Sequence, residues 1–257
     1  MRTAGWIGLG AAMVLGLAAG GTWAQSGYAL EFDGIDDRVT VSDPVNATGP
    51  LTLEAWIRPD AFDGGRILSN RDAANGYEID INSLGSLRFT INGGARGMLD
   101  ISQYLGQWVH LAVTWEGPAG GDIDIYANGE AEAAYYYTGT MSDATGSLAI
   151  GISGWGTYPF DGAIDEIRVF DTVVGQEAIR TWMTRRIGPG HPDYAHLQGA
   201  WSFEEGSGQV AAGSVLGRDG QLGNETGTDA ADPAWIGSGM VGTTRSTWGG
   251  VKEIYRP

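Results

Sequence analysis

A chain of 257 residues with 31 acidic against 15 basic side chains, a formal charge of −16, makes nucleic acid and anionic lipid poor partners and cations good ones. Cysteine is absent, so a hydrophobic core or bound ions must do what disulfides do elsewhere. Forty-three glycines beside ten tryptophans and ten tyrosines argue for tight turns between aromatic strands and against disorder, in one large all-β domain or a domain with an appendage.

In chain order, Met1-Arg2, the apolar run Trp6 to Gly20 and the small-residue end Thr22-Trp23-Ala24 read as a secretory signal peptide, residues 1–24. An uncleaved anchor is the rival reading, but the run is short for a span. Cleavage takes Arg2 with it and leaves 14 basic against 31 acidic residues, a formal charge of −17, with no membrane insertion expected afterwards.

Tyr28, Leu30 and Phe32 then alternate with Ala29, Glu31 and Asp33, the acidic turn Gly34 to Asp37 follows, and Val39 and Val41 resume the alternation. This predicts a hairpin with an acidic tip. Leu51 to Pro59 alternates again, with Leu53, Ala55 and Ile57 on one face and Glu54, Trp56 and Arg58 on a face that reads as solvated or ligand-binding. Further strands are predicted over 77–81, 86–91, 108–115, 123–126, 131–137 and 147–152. Asn128-Gly129 is the strongest hairpin signal, because both residues tolerate the positive φ of a type I′ turn.

The stretch Phe160 to Asp171 organises the domain. With period two it sets Ala163, Asp165, Ile167 and Val169 on one face and Ile164, Glu166, Arg168 and Phe170 on the other. A carboxylate then stands in line with core residues, so Asp165 is either an acceptor for loop amides or a metal ligand. Residues 176–186 alone read as helix, with Ala178, Ile179 and Trp182 as its buried stripe and Gly188-Pro189-Gly190 as its stop. In the tail, 200–208 looks like one more strand and turn, a Gly-, Asp- and Thr-rich run leads to Pro233-Ala234-Trp235-Ile236, and 248–255 reads as an amphipathic turn or a strand.

Taken together, the blocks Ala29 to Asp37, Leu51 to Pro59, Gly76-Tyr77, Gly106 to Thr114, Tyr126 to Gly129, Leu148 to Gly151 and Phe160 to Phe170 resemble the laminin G-like family of secreted bacterial domains. That family lies within the concanavalin A-like lectin/glucanase superfamily. The resemblance covers about Tyr28 to Ile179 and implies an all-β, two-sheet antiparallel jelly-roll sandwich over 25–187, with one short helix and an extended C-terminal tail over 188–257. It also implies that the first and last strands of the domain lie side by side, bringing Asp33 and the 34–37 turn near Asp161 or Asp165. Relatives often hold calcium at a sandwich rim, so Asp33, Asp36, Asp161 and Asp165 are carried over as candidate calcium ligands, with backbone-amide acceptance as the alternative.

Two departures stand out. Gly175 occupies the helix cap where the family commonly has serine. The family's leader strand, Trp-x-Phe-x-Glu-Gly-Ser-Gly, is missing before the first block and appears after the domain as Trp201 to Gly208. The tail can therefore fold back into the vacant place, or fill it in a neighbouring chain and link protomers by strand exchange.

Enzyme chemistry has little to draw on. Glu78 and Asp80 share a strand face, as the carboxylates of a glycan-degrading enzyme would, but Asn82 or Ser83 stands where a third is needed. His110, His191 and His196 fall in no metal-ligand spacing and beside no plausible nucleophile, and His110 reads as a structural residue of a sheet strand. Exposed aromatics suit binding better: Trp155 and Tyr158, in Gly154 to Pro159, lie just before the organising strand, whereas Tyr135 to Tyr137 read as alternate faces of a strand. Asn46-Ala47-Thr48 and Asn224-Glu225-Thr226 match the glycosylation pattern, which matters only in a host that uses it. The expected protein is a secreted, non-catalytic module for carbohydrate or extracellular protein at the cell surface, using calcium. The alternative is a structural subunit self-associating through its tail.

Overall fold

The computed structural model describes residues 27–239 apart from Thr48 and Ala73. The signal peptide expected at 1–24 and the element expected at 248–255 lie outside the described residues. The strands are β1 Tyr28–Asp33, β2 Val39–Val41, β3 Leu51–Pro59, β4 Arg66–Arg71, β5 Gly76–Ile81, β6 Ser86–Ile91, β7 Gly94–Asp100 and β8 Val109–Trp115. After them come β9 Asp122–Ala127, β10 Glu130–Tyr136, β11 Leu148–Ile150, β12 Asp161–Phe170, β13 Leu197–Trp201, β14 Val210–Ala211, β15 Gly220–Leu222 and β16 Ala234–Gly237. They form two antiparallel eight-stranded sheets, the jelly-roll sandwich that the resemblance implies.

One sheet runs β10-β9-β8-β3-β12-β1-β16, and the other β14-β15-β2-β11-β4-β5-β6-β7. Alternating apolar residues meet between them: Leu30, Phe32, Leu53, Ile57, Phe89 and Trp115 belong to one buried cluster. β1 and β12 lie side by side with Asp33 opposite Asp161. The β9–β10 turn has Asn128 at φ 51° and Gly129 at φ 79°, as a type I′ turn requires.

The tail completes both sheets within its own chain. β13 takes the edge of β12 beyond the end of β1, with Ile167 opposite Trp201, while β16 pairs with β1 and β15 with β2. The leader-like segment is thus a strand as far as Trp201; Trp201 and Phe203 then enter the inter-sheet core, and the Trp201 indole donates to the Arg218 carbonyl at 2.8 Å.

β12 departs from the period-two reading. Its pairing with β3 slips between Asp165 and Arg168, and Glu166 takes a left-handed φ of 49°. The extra residue re-phases the strand, so that Ile164, Ile167 and Val169 all reach the inter-sheet core. Asp165 is therefore out of line with Ile167 and Val169. Its Oδ1 accepts the Glu166 amide at 2.7 Å, and burial, with Glu166 and Glu204 nearby, pushes its carboxyl well above the usual range.

The helix expected over 176–186 is α2, Gln176–Trp182, preceded by the single turn α1, Gly117–Gly120. The end of α2 and the chain after it cover Glu54, Trp56 and Arg168 on the outer face, which is not solvated there, whereas Arg58 stays partly exposed, paired with Glu31 and Asp60. Glu54 Oε2 lies 3.2 Å from Arg168 Nη1 and 3.4 Å from His110 Nε2, and Glu166 Oε2 lies 2.8 Å from Arg168 Nη2. Arg168 also donates to the carbonyls of Trp182 at 3.0 Å and Arg185 at 2.7 Å, and Trp56 to that of Met183 at 2.6 Å. His191 stacks on Phe170 with ring centroids 5.1 Å apart, and burial holds its imidazole below the usual range.

Gly162 shows how closely β12 is fitted. It sits at φ 134°, and a Cβ there would stand 2.1 Å from the Arg58 carbonyl oxygen. Gly162→Ala should therefore lower stability by about 3 kcal/mol, from strain and overpacking combined. Denaturant unfolding would show it, and an unchanged midpoint would mean that the contact with β3 relaxes freely.

Candidate functional site

The acidic tip folds as a compact turn after β1. Asp33 Oδ1 accepts the Ile35 amide at 2.8 Å, and Asp37 Oδ2 accepts the Asp33 amide at 2.8 Å. Gly34, at φ 73°, donates to the Phe160 carbonyl at 3.1 Å; a Cβ there would stand 2.9 Å from that of Asp161, so the turn presses directly on β12. The result is a group in which Asp33, Asp36 and Asp37 each offer a carboxylate oxygen within 4.8 Å of the others.

The tail closes over this turn. Gly223 donates to the Arg38 carbonyl at 3.0 Å, Arg38 donates to that of Ala231 at 3.1 Å, and Asp232 is thereby held beside the group. Burial pushes the Asp37 carboxyl up to about 6; the hydrogen bond from Asp33 opposes this, and the charges of Asp33, Asp36 and Asp232 reinforce it. Asp161 is raised by burial and by Asp60, Asp63 and Asp33. The raised Asp37 carboxyl is costly to ionise beside its neighbours, a cost that a bound cation relieves, and three hard carboxylates suit calcium. The residues present therefore fit a metal ion.

Of the four ligand candidates, Asp33 and Asp36 stand together, Asp161 lies opposite Asp33 across the strand pair, and Asp165 sits on the bulge opposite Trp56, apart from the rim. Asp37 joins Asp33 and Asp36 although it is not among the four candidates; its place in the acidic turn is the signal for it. Asp232 carried no signal, because nothing in the sequence says where the tail lands.

Trp155 and Tyr158 ride a loop that spans from β11 to β12. The loop is pinned by Ser153, whose amide donates to the Thr157 carbonyl at 3.0 Å and whose Oγ accepts the Thr157 amide at 3.1 Å. Both rings stay open to solvent, at 49 % and 56 % exposure. Arginines from β4 support them: Arg66 lies 4.4 Å from the Tyr158 ring centre and Arg71 5.6 Å from that of Trp155. Those arginines are fixed in turn by Glu78, with contacts of 3.0 Å from Arg66 and 2.6 Å from Arg71.

Asp80 beside them is paired with Arg88 at 2.6 Å, and burial still raises its carboxyl against the charges of Arg66 and Arg88. Glu78 and Asp80 are thus sealed beneath arginines and 1 % and 0 % exposed, whereas a glycosidase's acid and nucleophile must reach the bond they cleave. Of the tyrosine triplet, Tyr135 bonds the Met98 carbonyl at 2.7 Å, Tyr136 is exposed and Tyr137 packs on Trp115.

Comparison with known proteins agrees with this architecture. No curated protein matches the sequence. A solved candidate carbohydrate-binding protein from Bacteroides ovatus ATCC 8483 shares the fold at 20 % identity and a TM-score of 0.62; the match covers 82 % of this chain and 62 % of that one. The heptameric pentraxin of Limulus polyphemus is similar at 21 % identity and a TM-score of 0.49, over 60 % of this chain and 81 % of its own. The ligand-binding domain of botulinum neurotoxin serotype D, solved with N-acetylneuraminic acid, is similar at 16 % identity and a TM-score of 0.48, over 60 % and 41 %. A family model described as the concanavalin A-like lectin/glucanases superfamily, of laminin G type, matches residues 33–180, the segment from the acidic tip through β12 into α2, and the chain belongs to that family.

Proposed function

We propose that the chain is a secreted, non-catalytic module that binds glycans through Trp155 and Tyr158, with calcium held at Asp33, Asp36 and Asp37. The observation that carries this reading is two half-exposed aromatic rings fixed on ion-paired arginines, on a loop whose Gly156 lies against Arg38, which in turn donates to the Asp36 carbonyl of the carboxylate rim. Rigid aromatic faces stack on sugar rings with little ordering cost. The Bacteroides ovatus protein, a candidate carbohydrate binder of the same fold, supports the ligand class. The acidic charge argues against nucleic acid as a partner. Secretion rests on the leader-like first 24 residues, and among the described residues no helix is long and apolar enough to cross a membrane.

A glycan array followed by titration calorimetry on the best glycan tests the reading. Trp155→Ala and Tyr158→Ala should each weaken binding about tenfold or more while the unfolding temperature stays put. Equal binding by both variants, or no glycan bound by the native protein, would refute it.

A further inference from the structure

A cavity of about 430 Å³ opens in the tail, outside the segment that the family match covers. That volume lies in the range of small-molecule sites. One wall is Trp235, whose indole Nε1 donates to the Gly208 carbonyl at 2.9 Å and whose ring packs partly on the inter-sheet core, so its orientation is fixed. Leu222 and Pro233, both buried, add apolar surface. Around them stand the exposed residues Ser207 and Thr228, whose hydroxyls donate and accept.

Asp229 supplies an acceptor of fixed charge. Its carboxylate takes the amides of Ala231 at 2.8 Å, Asn224 at 2.9 Å and Glu225 at 3.0 Å, and these bonds, that of Ala231 foremost, hold it below the usual range. Neither arginine nor lysine lines the cavity. An aromatic wall with hydroxyls and the carboxylates of Asp229 and Asp232 at its edge matches a ring that is apolar on its face and rich in hydroxyls on its rim. Two carboxylates in a chain of charge −16 turn away acidic sugars.

We propose that this tail cavity is a second binding site, for one uncharged sugar residue stacked on Trp235, separate from the platform at Trp155 and Tyr158. The test follows the Trp235 indole N–H signal, assigned with Trp235→Phe, in 15N-labelled protein titrated with D-glucose, D-galactose, D-mannose and N-acetyl-D-glucosamine. At least one sugar should move that signal and the Gly208 amide along a saturating curve. Thr228→Trp, a change at an exposed loop position that fills the cavity, should abolish the shift, and the Trp155→Ala, Tyr158→Ala double variant should keep it. Silence with all four sugars, or a shift that survives Thr228→Trp, would overturn the proposal. So would a shift lost with the platform variant, since the signal would then report the other site.

Discussion

Arg168→Met should cost the folded protein about 3–5 kcal/mol, the range for removing one partner of a buried ion pair. The side chain is 1 % exposed and is the cation of a closed group. It balances Glu54 at 3.2 Å and Glu166 at 2.8 Å and holds the carbonyls of Trp182 and Arg185. Burial works against charge on both sides of this contact. Even so, Arg168 is raised by Glu166 and Glu54, and Glu54 is lowered by its hydrogen bond with His110 and by Arg168, so attraction outweighs desolvation while the group is intact. Methionine fills similar volume but leaves two carboxylates stranded under α2. Denaturant unfolding measures the loss, and adding Glu54→Gln and Glu166→Gln should recover part of it by removing the stranded charges. A loss under about 1 kcal/mol would mean that water already reaches the cluster.

That cluster also marks where the sequence was legible and where it was not. Strands whose alternate residues are apolar, such as β3 and β5, were read nearly to their ends, and Asn128-Gly129 announced its hairpin. β4 and β7 carry no period-two signal that marks them as strands. β4 buries Arg66, Ser69 and Asn70, which look like loop residues until Glu78 is placed against the first two and Val45 and Asn46 against the third. β7 is a glycine-containing edge strand, though Asn92-Gly93 before it, at φ 48° and 76°, was a usable signal. The outer face of β3 looked solvated because its cover, α2 and the loop bearing His191, comes from more than a hundred residues further along the chain. The β12 bulge was hidden for a related reason: the alternation through Asp165 is unbroken in sequence, and only the register against β3 shows the extra residue. At the candidate site the same limit recurs, since Asp33 and Asp36 are local while Asp232 arrives with the tail.

Calcium should reverse the pH dependence that the acidic rim gives the protein. Asp37 has a folded pKa of about 6 against 3.8 for the free side chain, so between these values the folded state holds more protons than the unfolded one. In chelator its contribution to stability is therefore full below about pH 4, declines as pH rises towards 6 and is gone above that. Asp37 is buried, but Asp33 beside it is exposed and Asp36 half-buried, so water screens part of the penalty and this amounts to on the order of 1 kcal/mol. A metal ion binds the ionised carboxylates, so its effect runs the other way, weak at about pH 5 and large at about pH 7.5. At a hundredfold excess over its dissociation constant it should add about 2.7 kcal/mol. Asp37→Asn separates the two effects, because an amide oxygen can still accept the Asp33 N–H while the repulsion and one anionic ligand are gone. In chelator at neutral pH the variant should match or exceed the native protein by about 1 kcal/mol, with a flatter pH profile; in calcium it should fall behind. Thermal unfolding with calcium and with chelator at the two pH values reads all of this. A native protein indifferent to calcium, or an Asp37→Asn protein that keeps the full calcium increment, would remove the metal from the rim and leave the raised Asp37 carboxyl as a consequence of burial and neighbouring charge alone.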